Sequence, residues 1–290
     1  MKLVTFTYNN KMKIGAVVDD QIVDASQARN LPTDMISFLT AGSTAIESLQ
    51  NLIDTNSDRI PLADVHLEAP IQNPQKFLAI GLNYGKHIAE TGMDKPEFPT
   101  FFNKQSSCVN GPFDPIHLPK VSEKLDYEGE LAFVIGKKCR HVPKEKAHEV
   151  IAGFTIVNDV SVRDWQFRAQ TMTLGKSFDT HGPVGPWIVT SDEISDPHNL
   201  NINVWVDEEQ RQEINTNEMI FDCYDMIKTL STAFTLMPGD IISTGTGAGV
   251  GVKMKPRGYM KAGQVCRIEI ESIGTIENPV IDEPDDTVMY

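Results

Sequence analysis

Several things are scarce in this chain, and each scarcity removes a class of reading. Its 290 residues contain four cysteines, Cys108, Cys139, Cys223 and Cys266, far apart and with no CxxC pair. That argues against a disulfide scaffold and a zinc-thiolate site, and free thiols in a reducing cytoplasm are the expectation. Positive charge is also short: 26 Lys and Arg stand against 40 Asp and Glu, a net −14. Phosphate binding needs a basic face, so no nucleic-acid partner is expected. An anionic substrate would have to be held by local positive charge against the global field. No apolar run approaches the about 20 residues of a membrane helix. The N-terminal MKLVTFTYNNKMKIG has no apolar stretch before a cleavage-like site, so neither leader nor membrane segment is expected. Glycines 245, 247, 249 and 251 alternate in DIISTGTGAGVG but give neither GxGxxG nor a following GKS/T. A tight loop whose backbone N–H groups approach a ligand fits better than a nucleotide loop.

What remains is a length ample for a real core and a chain rich in strand patterns. Residues 1–70 read as a small α+β accessory domain. MKLVTFTYN, KIGAVVDD and QIVDAS are strand-like, and DMISFLTAG and TAIESLQNLID are helical by spacing. Pro70 and Pro74 mark the boundary. Residues 71–290 carry many strand runs, among them FLAIGLN, EGELAFVIGKK, GFTIVNDVS and QVCRIEIESIG. One clear helix has Ile220, Cys223, Ile227, Leu230 and Phe234 at helical spacing, with Asn217 as its expected cap and Pro238-Gly239 as its stop. Strands this numerous with so few helices argue for a β-rich mixed sheet, not a doubly wound parallel one.

The chemistry concentrates in LDYEGELAFVIGKK. At a strand's two-residue period, Leu125, Tyr127, Leu131, Phe133 and Ile135 share one face. Asp126, Glu128 and Glu130 share the other, which continues into Ala132 and Val134. A solvated acidic face is the rival reading. Buried carboxylates about 7 Å apart would repel, and a divalent cation reverses that penalty. Asp159, ending the apolar run GFTIVNDV, is a third candidate ligand, although such an acid is more often a cap or turn residue. Three carboxylates make an all-oxygen site suited to Mg²⁺ or Mn²⁺, with coordination positions open for water and substrate. His87 and Glu90, three apart in GLNYGKHIAETG, can pair on one helical face, where a carboxylate fixes the imidazole tautomer. Lys176, in GKSFDTHGPVGPW, reads by itself as a solvated charge, and the pair Lys104 and Gln105 either reaches a second carboxylate of a diacid substrate or is solvated on its loop.

Four segments in order, DYEGELAFVIGKK, NDVSVRDWQ, LGKSFDTHGPVGPW and LMPGDIISTGTGAGVG, resemble the fumarylacetoacetate hydrolase family over roughly residues 71 to 280. The N-terminal module is similar to that of the family's longer bacterial members. The resemblance implies a β-roll core and a homodimer. It implies Glu128, Glu130 and Asp159 as metal ligands, and His87 and Glu90 as a water-activating pair on a lid helix. It places Lys176 beside the metal, and Tyr84, Arg163, Gln166 and Thr246 at the substrate. Asp126 is not carried over, and reads either as an acceptor behind the ligands or as a solvated group near the strand's start. Where family members commonly read Gly-Thr-Pro, this chain has Gly247 after Thr246. The function implied is metal-dependent C–C hydrolysis of acylpyruvate-like β-diketo acids, with decarboxylation of oxaloacetate-type acids or keto–enol and double-bond isomerisation as the alternative.

Overall fold

The alternating residues from Lys2 to Asp24 form three antiparallel strands, Lys2–Tyr8, Lys11–Val18 and Gln21–Asp24. Asn9 and Asn10 make the first turn with φ of 51° and 58°, the left-handed pair that a two-residue hairpin needs. The helices Met35–Ala41 and Ser43–Thr55 follow. In this computed structural model the described residues are 1–55, 58–92 and 94–288.

Lys2–Tyr8 does not stay within its own module. It pairs antiparallel with Gly182–Thr190, Lys2 opposite Val189. The sheet then runs through Ile151–Asn158, Gly129–Ile135, Ile241–Ser243, Phe77–Gly81 and Thr100–Lys104. Ile241–Ser243 and Phe77–Gly81 are parallel and their neighbours antiparallel. The result is a mixed α+β fold dominated by an open sheet. A second sheet, Glu209–Asn215, Asn201–Val206, Val265–Ile270, Gly274–Asp282 and Ile116–Leu118, packs beside it.

Gly129–Ile135 is buried along its whole length because both faces are covered. Leu131, Phe133 and Ile135 pack with Ile202, Val204 and Ile268 of the second sheet. Ala132 and Val134 pack with Phe38 and Leu49 of the N-terminal helices.

The expected long helix is Cys223–Ala233, and its ends differ from the sequence reading. Asp222, not Asn217, caps it, accepting from the N–H groups of Tyr224 and Asp225. Asn217 sits in a separate 3-10 turn, Thr216–Glu218. The helix stops at Ala233, before Pro238-Gly239, because Phe234 turns extended, with φ −151° and ψ 167°. All four cysteines are free. Among the described residues no helix is long and apolar enough to cross a membrane.

Candidate active site

Two strand junctions build the site. Leu125–Asp126 pairs with Ser161–Val162, and Gly129–Ile135 pairs with Ile151–Asn158, Gly129 opposite Asn158. The chain crosses from one pairing to the other at Tyr127–Glu128 on one side and at Asp159–Val160 on the other. Glu128, Glu130 and Asp159 therefore meet: each offers a carboxylate oxygen within 4.8 Å of the others, and all are buried.

Cations converge on this cluster. Lys176 Nζ lies 2.7 Å from Glu128 Oε2 and 2.6 Å from Asp159 Oδ2. Arg163 reaches Glu128 Oε1 at 2.7 Å and Asp126 Oδ2 at 2.8 Å. Lys104 Nζ donates to Asp159 Oδ1 at 2.7 Å, to the carbonyl of His181 at 3.0 Å and to that of Lys176. Burial pushes the Glu128 carboxyl up, but Lys176 and Arg163 outweigh it and hold the group well below the usual range. Glu130 goes the other way. Burial, then repulsion from Asp159 and Glu128, raises it well above the usual range. Ser243 Oγ and Gly245 N–H donate to it, and no basic side chain among the described residues pairs with it. This crowded oxygen set with one uncompensated acid fits a hard divalent cation.

His87 lies on the short helix Gly85–Thr91, with Nδ1 3.3 Å from Glu90 Oε2. Glu90 in turn accepts from Gly249 N–H at 3.3 Å. Burial lowers the imidazole's pKa against the pull of Glu128 and Glu90, which favours a neutral ring at pH 7. Of the expected substrate residues, Arg163 is the most distinctive. Its Nε and one terminal nitrogen serve Asp126, Glu128 and Gln166, while its other terminal nitrogen is buried with no partner. Gln166 spends its oxygen on Arg163 and leaves its amide nitrogen only the Met172 sulfur at 3.5 Å. Tyr84 is fully buried, its hydroxyl 3.5 Å from Thr244. The Thr246 hydroxyl is engaged on both sides, donating to the Gly129 carbonyl and accepting from Gln212.

Two further side chains support the cluster. Asp126 stands outside the carboxylate trio, and of its two readings the structure gives the acceptor and not the solvated group. It is fully buried and accepts from Arg163 and from the N–H groups of Gly251 and Val252. Of the two readings of Lys104, the solvated one is excluded: it ends the strand Thr100–Lys104 with its ammonium out of solvent. Gln105 beside it is exposed.

A family profile described as "Fumarylacetoacetate (FAA) hydrolase C-terminal" matches residues 76–281. The mitochondrial oxaloacetate tautomerase of Xenopus laevis is 43% identical over 269 residues, 92% of this chain and 83% of the relative. Among solved structures, fumarylacetoacetate hydrolase from Exiguobacterium antarcticum superposes with a TM-score of 0.88 at 34% identity, covering 98% of this chain and 100% of that one. Maleylpyruvate hydrolase from Sphingobium sp. SYK-6, in complex with manganese(II) and pyruvate, gives a TM-score of 0.83 at 33% identity with the same coverage.

Proposed function

Because this chain belongs to the fumarylacetoacetate hydrolase family, we propose that it is a divalent-metal enzyme acting on 2-oxo acids, and that keto–enol tautomerisation of an oxaloacetate-type diacid is its main reaction. The observation that carries the 2-oxo acid reading is the buried, unpartnered nitrogen of Arg163 beside the carboxylate cluster. A buried donor without a partner is destabilising by about 1–3 kcal/mol, and a substrate carboxylate or keto oxygen would relieve it. The choice of tautomerisation rests on the relatives at 42–43% identity, which are named oxaloacetate tautomerases.

Mg²⁺ or Mn²⁺ held by Glu128, Glu130 and Asp159 would supply Lewis acidity at the 2-oxo group. The rest of the work belongs to side chains of this chain. Arg163, with the Gln166 amide, binds and orients the acid against a net charge of −14. Glu90 accepts from His87 Nδ1–H, which leaves Nε2 as a base. Nε2 takes a proton from C3 of the keto form, and a proton is returned to the 2-oxo oxygen to complete the enol. The reverse transfer regenerates the ketone, so no water is consumed. The Lys176 ammonium stands beside the developing enolate charge.

A second reading is favoured by the same His87–Glu90 pair, which can activate water just as it can move a carbon-bound proton. In that case the reaction is C–C hydrolysis of an acylpyruvate, as the name of the maleylpyruvate hydrolase neighbour suggests. NMR of the protein with Mn²⁺ and either oxaloacetate or acetylpyruvate separates the two. Accelerated enol–keto exchange of oxaloacetate, lost in His87→Ala and with EDTA, is the expected result. Acetylpyruvate cleavage with no effect on oxaloacetate exchange would replace the first reading by the second.

A further inference from the structure

We propose that Gln212 is a positioning residue that couples the Glu128–Glu130 strand to the His87–Glu90 pair through the loop 244–249. The roles of those four residues rest on the function proposed above; the coupling itself is read from contacts.

Gln212 lies on the hairpin strand Glu209–Asn215 of the second sheet, opposite Val204 and far in sequence from every site segment. The inward positions of that strand are Gln212 and Ile214, both buried. An amide among apolar neighbours is tolerated only if its polar atoms are satisfied. Gln212 Oε1 accepts from Gly129 N–H at 3.1 Å, and Gly129 is the residue between the two glutamates. Its Nε2 donates to Thr246 Oγ1 at 2.9 Å and to the Gly247 carbonyl at 3.2 Å. Thr246 Oγ1 donates onward to the Gly129 carbonyl at 2.9 Å. The circuit is closed: Gly129 N–H, Gln212, Thr246 and Gly129 C=O hold one another. Both polar groups of Gly129 are thus tied to the loop.

The loop then touches both halves of the chemistry. At one end Gly245 N–H donates to Glu130 Oε2 at 2.9 Å. At the other Gly249 N–H donates to Glu90. What shapes the stretch between them is the hairpin around Gln212. A Cβ at Gly249 would lie 2.0 Å from the Arg211 carbonyl oxygen, and one at Gly247 would lie 2.6 Å from Ile214 Cγ1. The loop backbone therefore lies directly on the hairpin at Arg211, Gln212 and Ile214. This accounts for Gly247 where the family commonly carries proline: proline also brings a Cβ.

Two substitutions test the coupling in the full chain loaded with Mn²⁺. Gln212→Met keeps the shape and removes every hydrogen bond. Gln212→Glu keeps the acceptor for Gly129 and loses the donors to the loop until it is protonated. The first readout is amide hydrogen exchange, which needs no substrate. The expected result is exchange at least about tenfold faster for residues 85–92 and 245–249 in Gln212→Met, with the Gly274–Asp282 strand unchanged. The second is turnover of oxaloacetate. A fall in kcat of about tenfold or more, with KM changed less than about twofold, is expected from losing buried hydrogen bonds that fix reacting groups. In Gln212→Glu the deficit relative to wild type should shrink as pH falls, because a carboxylic acid regains one donor. Unchanged exchange at 85–92 in either folded variant overturns the coupling. So does exchange that rises uniformly in step with a lower Tm, which marks a merely structural residue. If the wild type fails to act on oxaloacetate, the exchange result still decides this inference, while the failure falls on the proposed function.

Discussion

An ammonium taken out of water must find three acceptors, and Lys104 finds them in Asp159, the Lys176 carbonyl and the His181 carbonyl. It thereby fixes one oxygen of Asp159 and leaves the other to Lys176. Replacing it by methionine would leave the Asp159 charge buried and short of a partner. Breaking one side of a buried pair destabilises by about 3–5 kcal/mol. We expect Lys104→Met to lose stability of that order in urea melts without added metal, and Mn²⁺ affinity to change with it. A loss below about 1 kcal/mol would show that Asp159 does not depend on Lys104. His181 gives a pH test. Burial, against the hydrogen bond to the His117 carbonyl, drives its pKa from the ordinary 6.5 down to about 3. Between those values the unfolded chain binds a proton that the folded chain refuses. Stability should therefore fall as pH drops from about 6.5 towards 3 and should be flat above 6.5 as far as this group is concerned. His181→Phe should flatten that slope in melts taken from pH 7.5 to 4.5; an unchanged slope assigns the acid sensitivity elsewhere.

At the scale of elements, Gly247 offers the sharpest test of packing. Gly247→Ala should destabilise by about 1–3 kcal/mol through overpacking against Ile214, and Ile214→Ala should relieve most of that loss in the double variant. Additive losses in the cycle would mean that the two do not meet. The elements differ in how far they can be read from sequence. The strand runs are legible because apolar residues buried on one or both faces impose their own period, as in Gly129–Ile135. Glu128 and Glu130 are legible as a pair for the same reason, since their face continues into buried Ala132 and Val134. Helix ends are less so: Asn217 and Asp222 are both acceptable caps, and Asp222 is the one used, in a capping box with Asp225, where Asn83 also binds the backbone of Ile220 and Phe221. Lys104 and Gln212 are illegible for a further reason. Each is a polar residue whose burial depends on partners 55 and 34 or more positions away, and no local pattern reports them.

For the whole molecule, charge and sheet continuity make the predictions. A net charge of −14 repels a dianionic substrate at long range, and salt screens that repulsion within a Debye length of about 10 Å at 0.1 M. Raising ionic strength from low values should therefore increase kcat/KM for oxaloacetate; a decrease would mean that local attraction by Arg163 and Lys176 dominates the approach. Sheet continuity bears on residues 1–70. Lys2–Tyr8 covers the edge of Gly182–Thr190, and Leu3, Phe38 and Leu49 share a cluster with Ala132, Val134 and Ile188. That cluster backs the strand that carries Glu130. Each large apolar side chain removed from it forfeits about 1.5–3 kcal/mol, so losing half a dozen is comparable to a typical net stability of about 5–15 kcal/mol. It also leaves Ile188 and Val189 without the strand partners Leu3 and Lys2, and an unpaired edge invites association. A chain of residues 71–290 alone should therefore be recovered as aggregate or as a species without a cooperative melt, and should not bind Mn²⁺ with the affinity of the full chain. A soluble 71–290 fragment that melts cooperatively and keeps that affinity would show that the N-terminal strands decorate the sheet without supporting the site.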